Sequence, residues 1–564
     1  MSQISILRQA LFYIAYTSLA TEGCSNIQPL TEATMPTSKA RPGVLENDLY
    51  QLTMAYAYWK AGRHEEEAVF DYFFRKCPFG GEFAVFAGLA DLLDYVLHFA
   101  FTRDDVEYLK AGPLANAEPE FFSWLLGVNF SRMKIYAMRE GTVVFPRTPV
   151  VRVEGPLAIV QMLETPLLAA LNYPSLMTTN AVRYRLAAGE DKLLLEFGLR
   201  RAQDGMRASH YAWLGGFDGT SNVEAARLLG IPPRGTMAHS YVSSFSGLED
   251  LKELKLADCG SGEIWDFAGE VLRVRGRLGY AETNDGELAA FINYAMAFPH
   301  AFLALVDTYD TLKSGVPNFL SVAATLVKFG YKPLGIRIDS GDLAYLSQEA
   351  RKLFRRANEI YFGQSAVLSR LAIGASNDIN EETLWALRAE GHEINVFGIG
   401  THLVTCEGQP AFGGVYKLVA LNGKSKIKLS NDADKVTIPG RKEVYRLIRA
   451  DGKAFLDLML EAGETPPAVG EPIICRDPFH ETKRVRMIPS GVVPLHELVW
   501  DGRLVQSLPP RADVRGRVKS SLALTRDDHL RRLNPTPYKV SVSEGLYGYM
   551  HELWLQEAPI AVVQ

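Results

Sequence analysis

Residues 335–343, GIRIDSGDL, set a guanidinium and an acid two positions apart, Arg337 and Asp339, where an apolar β-branched run breaks into a polar elbow. Ser340 and Gly341 follow, offering small residues and free backbone N–H groups at that spot. A strand's carboxyl end built this way is where α/β proteins hold phosphorylated ligands. The ingredients recur along the chain. Asp307 follows the apolar run 301–306, Ser376-Asn377 follows 371–375, and Gly398-Ile399-Gly400-Thr401 follows 394–397. Arg200 comes after the run 193–197, Ser221 lies in the glycine-rich loop GGFDGTSN (215–222), and RGTMAHS (234–240) is expected to end a short strand with Thr236 and His239.

Glycine loops bring N–H groups close to an anion. Arg200 and Arg337 provide forks that fit phosphate or carboxylate. Asp307 and Asp339 can hold a hydrated Mg²⁺ that bridges phosphates, or take ribose hydroxyls. Each residue also has a plainer reading. An aspartate at a strand end is often a helix cap, a histidine after Met-Ala is often a core residue, and a GIG loop occurs in barrels that bind only a simple phosphate. Co-occurrence at successive strand ends favours chemistry.

Something must bring these ends together. From Leu193 to Thr401 apolar strands alternate with helical stretches such as the one after Asp342, where Leu343, Leu346, Ala350, Leu353 and Phe354 share one face. The alternation predicts an α/β protein with an irregular parallel α/β barrel over 166–410, its polar strand ends gathered at one face. The pattern before and after it predicts a second α+β domain, from 46–165 completed by part of 411–564. There a helix is expected at 48–60, a strand at 67–74, and strands at 415–421, 427–429 and 446–450. A helix from Pro166 to Tyr184 should bend near Pro174. Asp378 and Glu381 read as a capping box for a helix ending at Gly391. Residues 1–45 read as an unstructured extension, 246–290 as an irregular insertion, and the end of the chain as a charged helical tail.

The 564 residues exceed what one core serves. A net charge of −5 with a pI of about 6.2 gives no basic footprint for nucleic acid. Five cysteines without CxxC spacing argue against a zinc site or disulfide framework and fit a reducing, cytoplasmic setting. No stretch reads as a membrane span. GxxxxGK[ST], a convincing GxGxxG and GxSxG are missing, and no lysine ends a strand as an aldolase nucleophile would.

The segments NDLYQLTMAYAYW, CPFGGEFAVFAGL, EFGLRRAQ, GGFDGTSN, GTMAHS, DTYDTLKSGVPNFL, GIRIDSGDL, SNDINEETL and NVFGIGT, in this order, resemble those of nicotinate phosphoribosyltransferases. The resemblance runs from about Asn47 to Arg446 and implies a type II phosphoribosyltransferase acting as a homodimer with shared active sites. It would join nicotinate to phosphoribosyl pyrophosphate, giving nicotinate mononucleotide and pyrophosphate for NAD synthesis, with ATP as co-substrate and Mg²⁺ or Mn²⁺ as metal. By the same resemblance Tyr50 would stack on the pyridine ring, Thr236 and Arg337 would contact nicotinate, and Arg200 would lie near ring or phosphate. His239 would accept the ATP phosphoryl group, and Asp307 and Asp339 would serve ribose, pyrophosphate or metal. Ser340, Gly341, Ser376, Asn377, Gly398, Gly400 and Thr401 would hold the phosphate side. Relatives that use the amide carry an acid where Ser221 stands; a serine spares an anionic substrate a like-charge clash.

Overall fold

The structure is a computed structural model that describes residues 42–430 and 435–558. The expected N-terminal extension therefore falls largely outside the described residues. Two compact units divide the chain. Of the described residues, one consists of Val182–Gly205 with Gly216–Thr405; the other takes those from 42 to Ala181, Met206–Gly215, and those from Cys406 onward.

The first unit is built on six short strands: β1 (Leu193–Glu196), β2 (Gly219–Thr220), β3 (Leu303–Leu305), β4 (Gly335–Ile338), β5 (Ala372–Ala375) and β6 (Val396–Ile399). They lie in the order β3-β4-β5-β6-β1-β2, and every pairing is parallel. A parallel bridge from Thr220 to Pro233 extends the ladder past β2. Helices α1 (Val223–Leu229), α2 (Phe267–Leu278), α3 (Asp285–Ala297), α4 (Val316–Lys328), α5 (Leu343–Phe362) and α6 (Glu381–Glu390) lie between these strands in sequence. Leu194, Ile336, Ile338, Ile373 and Ile399 are wholly buried, as expected for strands of a parallel sheet. Because side chains alternate along a strand, Arg337 points away from the face taken by Ile336 and Ile338. One basic residue in an apolar strand thus leaves the core.

The α/β architecture is the one expected, but several local readings change. The stretch 246–290 is not irregular: it carries a hairpin of Lys255–Ala257 with Ile264–Asp266, then α2 and the start of α3. Polar residues that made it look loose cap its helices, Asp266 on α2 and Asn284 on α3, and the charged Arg275 and Glu287 are buried. Helix α6 is capped by Asn380, which accepts from the Thr383 N–H at 2.8 Å, and not by Asp378. Asp378 sits at φ +43°, in the left-handed region, where it cannot start a helix. RGTMAHS forms no strand beyond the bridge at Pro233; His239 opens the short helix His239–Val242.

In the second unit, Glu67–Phe74 is a strand as expected, in an antiparallel six-stranded sheet with Gly414–Leu421, Val151–Pro156, Lys134–Ala137, Glu497–Asp501 and Lys424–Ser425. The predicted strand at 427–429 is absent, because the chain turns at Asn422-Gly423, both at positive φ, and pairs back at once through Lys424–Ser425. The tail is also more ordered than its charge suggests. A second six-stranded sheet joins Lys442–Ile448 and Ala454–Glu461 to four later strands, the last at Lys539–Val542. The helix over Pro174 runs unbroken from Glu164 to Ala188. Among the described residues no helix is long and apolar enough to cross a membrane.

Candidate active site

The strand ends of the first unit line a cavity of about 980 Å³. β1 supplies Phe197, Leu199, Arg200 and Arg201 through the turn after it, and β2 supplies Ser221. The segment after Pro233 gives Arg234 and Thr236. β4 gives Arg337 and Asp339, β5 gives Ser376, Asn377 and Asp378, and β6 gives Gly398, Gly400 and Thr401. Residues separated by two hundred positions therefore share one space.

Arg337 is the best-defined group in it. Its Nη1 donates to Thr236 Oγ1 at 2.7 Å. Its Nε is buried, and among the described residues no acceptor reaches it. Burial pulls the guanidinium below its ordinary value, with Asp339 and Asp307 opposing the fall and Arg200 adding to it. An arginine stays charged under such a shift, so the cavity holds a partly desolvated cation with an unused donor. Buried donors left unpaired are costly, and an anionic ligand group would relieve that cost.

Asp339 joins the cavity to a second cluster. Its Oδ2 lies 3.6 Å from His239 Nε2, and Ser376 Oγ donates to its Oδ1. Asp307, almost wholly buried, accepts at Oδ2 from the Asp339 N–H (3.1 Å) and from Ser340 Oγ (2.5 Å). Its Oδ1 has no hydrogen-bond partner among the described residues and stands 4.0 Å from His239 Nε2. On the other edge of the ring, His239 Nδ1 is 3.1 Å from Thr308 Oγ1. A partly exposed imidazole thus meets one hydroxyl at hydrogen-bond distance and has two carboxylates within 4.0 Å.

Local backbone explains how the remaining positions are held. In the elbow after β4 the labour divides: Asp339 and Ser340 face the cluster, while Asp342 caps α5 by accepting from the Tyr345 N–H at 2.9 Å. Asn377 and Asp378 adopt φ +110° and +43°, conformations that non-glycine residues seldom take and that tend to mark functional turns. A Cβ at Gly398 would come within 2.5 Å of the Phe197 ring, so only glycine lets these two strand tips pack.

Of the residues expected from sequence, Arg200, Ser221, Thr236, Arg337, Asp339, Ser376, Asn377, Gly398, Gly400 and Thr401 line the cavity. His239 and Asp307 adjoin it through Asp339, and Ser340 is tied to Asp307; Ser340 and Gly341 are not in the lining. Tyr50 belongs to the other unit, is about half exposed, and places its hydroxyl 3.3 Å from Glu164. Arg201, Arg234 and Asp378 were not anticipated in the lining. The second arginine of GLRRAQ and the first residue of RGTMAHS were visible signals for two of them.

Comparison with known proteins decides the family. The description "Nicotinate phosphoribosyltransferase (NAPRTase) family" matches residues 193–451, and the family's N-terminal and C-terminal domain descriptions match residues 45–172 and 441–550. The chain belongs to the nicotinate phosphoribosyltransferase family. It is 50% identical to nicotinate phosphoribosyltransferase 2 of Arabidopsis thaliana, covering 92% of this chain and 96% of the plant protein. Against the nicotinate phosphoribosyltransferase of Homo sapiens it is 44% identical, covering 93% and 99%. The crystal structure of human nicotinic acid phosphoribosyltransferase superposes with a TM-score of 0.81 over 90% of this chain and 99% of the human one, at 42% identity. A nicotinate-nucleotide pyrophosphorylase from Pyrococcus furiosus, 20% identical, matches at a TM-score of 0.55 over 85% of this chain and 95% of its own, and shares the fold.

Proposed function

We propose that the cavity binds nicotinate and phosphoribosyl pyrophosphate together, with the ring carboxylate on Arg337 and Thr236 and the phosphates along the tips of β5 and β6. The enzyme is a nicotinate phosphoribosyltransferase, and it forms nicotinate mononucleotide in NAD salvage. The observation that carries the substrate assignment is the buried Arg337 Nε beside Thr236, which no acceptor reaches among the described residues. A carboxylate satisfies that fork, whereas a carboxamide brings no charge to a desolvated cation. Ser221 in the lining, where an acid would repel an anion, supports the same choice.

In the reaction the pyridine nitrogen attacks ribose C1 as the C1–O bond to pyrophosphate breaks, and the electron pair leaves with pyrophosphate. Positive character builds on the ribose and negative charge on the leaving group, so fixed dipoles and cations aimed at the latter lower the barrier. Asn377, Gly398, Gly400 and Thr401 line the phosphate side, with Arg200 and Arg201 as exposed cations near it.

Mg²⁺ or Mn²⁺ suits the donors present. Among the described residues no three His, Cys, Asp or Glu side chains form a metal cage, yet Asp307 keeps a buried oxygen without a partner and Asp339 stands beside it. One or two carboxylates with substrate phosphates are how Mg²⁺ is usually held, and Asp307 and Asp339 would hold it here. Bound there, the ion would neutralise charge developing on pyrophosphate.

ATP couples through His239 in this reading. A phosphoryl group on its imidazole brings roughly two negative charges close to Asp307 and Asp339, an arrangement tolerable only with cations gathered around it. Phosphorylation would thereby order the pyrophosphate side and favour product. Tyr50 supplies the stacking face for the ring, within a homodimer whose sites are shared, and the setting is the cytosol.

The test is mononucleotide formation by the full chain with nicotinate or nicotinamide, each with and without ATP and Mg²⁺. Faster turnover of nicotinate, raised by ATP, is expected; faster turnover of the amide would overturn the substrate assignment.

A further inference from the structure

A carboxyl that takes no part in these steps holds the loop between β3 and α4. Glu287, in the first turn of α3, is fully buried. Its Oε2 accepts from Ser314 Oγ at 2.5 Å and from Asn318 Nδ2 at 3.0 Å; among the described residues its Oε1 has no partner. The network continues inward. Ser314 Oγ accepts from the Asn284 N–H (3.0 Å), Asn318 Nδ2 donates to the Asn284 carbonyl (2.9 Å), and Thr283 Oγ1 donates to Asn318 Oδ1 (2.6 Å). Arg275 closes it by donating to Thr283 and Asp285.

Ser314 belongs to the single wide turn Thr311–Gly315, which follows Asp307 and Thr308. At the near end of that loop, the Val306 N–H donates to the Arg337 carbonyl at 3.1 Å. At the far end, Gly315 packs directly on Val306, where an added Cβ would lie 1.8 Å from the Val306 carbonyl oxygen. Asp307 and Thr308 are therefore strung between a strand end and a turn whose position Glu287 sets. Asp307 supports Asp339 and Ser340, and Thr308 meets His239.

We propose that Glu287 is a positioning residue for phosphoribosyl transfer: through Ser314 and Asn318 it fixes the loop that presents Asp307 and Thr308 to His239. This rests on Asp307 and His239 belonging to the reaction machinery. Two buried donors, the Ser314 hydroxyl and the Asn318 N–H not taken by the Asn284 carbonyl, use Glu287 as acceptor at this point, and an apolar residue would remove it. Burial pushes the Glu287 carboxyl up to about 7, and the charges of Asp307 and Asp310 add to the rise. A neutral amide of the same shape should therefore serve nearly as well.

The experiment compares the full-length wild type with Glu287→Ala, Glu287→Gln, Ser314→Ala and, as reference, Asp307→Asn. Steady-state rates of mononucleotide formation are normalised to folded protein by thermal melting. Glu287→Ala should lower kcat/KM for phosphoribosyl pyrophosphate roughly 10- to 100-fold, the scale of an ångström-sized misplacement, and leave the KM for nicotinate alone. Glu287→Gln should restore most of the loss, and Ser314→Ala should shift the same constant in the same direction. Wild-type kinetics in folded Glu287→Ala, or equal losses in the alanine and glutamine variants, would overturn the assignment. If the alanine variant does not fold, wild-type kinetics in Ser314→Ala would do so. An inactive wild type, or an unimpaired Asp307→Asn, would instead condemn the reading of the site itself.

Discussion

Replacing Arg337 by lysine keeps the charge and removes the fork. In the wild type Nη1 holds Thr236 Oγ1 at 2.7 Å while Nε stays buried and available. Lysine can reach the substrate or the threonine with a single ammonium, so at least one charge-assisted hydrogen bond to the carboxylate is lost. Such bonds contribute about 1.5–3 kcal/mol each, which corresponds to roughly 10- to 150-fold in kcat/KM at about 1.4 kcal/mol per decade. The loss should fall on the KM for nicotinate and spare the KM for phosphoribosyl pyrophosphate, since Arg337 is assigned to the ring carboxylate. The preference for acid over amide should narrow by the same factor, because the amide never used the full fork. Initial rates of mononucleotide formation at varied nicotinate and nicotinamide measure all three quantities. An unchanged nicotinate KM with an unchanged acid-to-amide ratio would refute the assignment of Arg337.

Two further outcomes are expected. His239→Ala should keep a basal transferase rate but lose its stimulation by ATP, measured as product formed with and without ATP; persistent stimulation would place the phosphoryl acceptor elsewhere. In the second unit, burial pushes the Glu140 carboxyl up to about 7, against the pull of the Gly88 N–H. A carboxyl raised on folding contributes stability that is fully present below about 4.5 and is lost as pH rises toward about 7. The limiting slope is roughly 1.4 kcal/mol per pH unit. Urea unfolding of wild type and Glu140→Gln between these limits should show the extra slope in wild type alone; parallel curves would contradict it.

Much of this site could be read in the chain because parallel strands announce themselves twice, as short apolar runs and as the polar residues that must follow them. Arg337, Asp307, Ser376 and Gly400 were legible for that reason. Capping was harder. Asp378 and Asn380 both stand before α6, and only the backbone at φ +43° shows that the first is a turn residue facing the cavity. Glu287 was illegible, since a glutamate in a charged stretch looks solvated until the helix that buries it is placed. The tail misled for a related reason. Its strands carry arginines such as Arg486, which pairs across the sheet with Ile474 beside the buried Cys475. Composition cannot anticipate a pairing that the sheet creates.

Asp307, Ser340, Asp339 and Ser376 form one chain of hydrogen bonds across the ends of three neighbouring strands. Such a rim behaves as a single part. Cutting one link loosens its neighbours, so two substitutions along it should cost less together than their separate effects multiplied. The contribution of any one of these four residues, taken alone, is then not a meaningful quantity; what holds, and fails, is the rim.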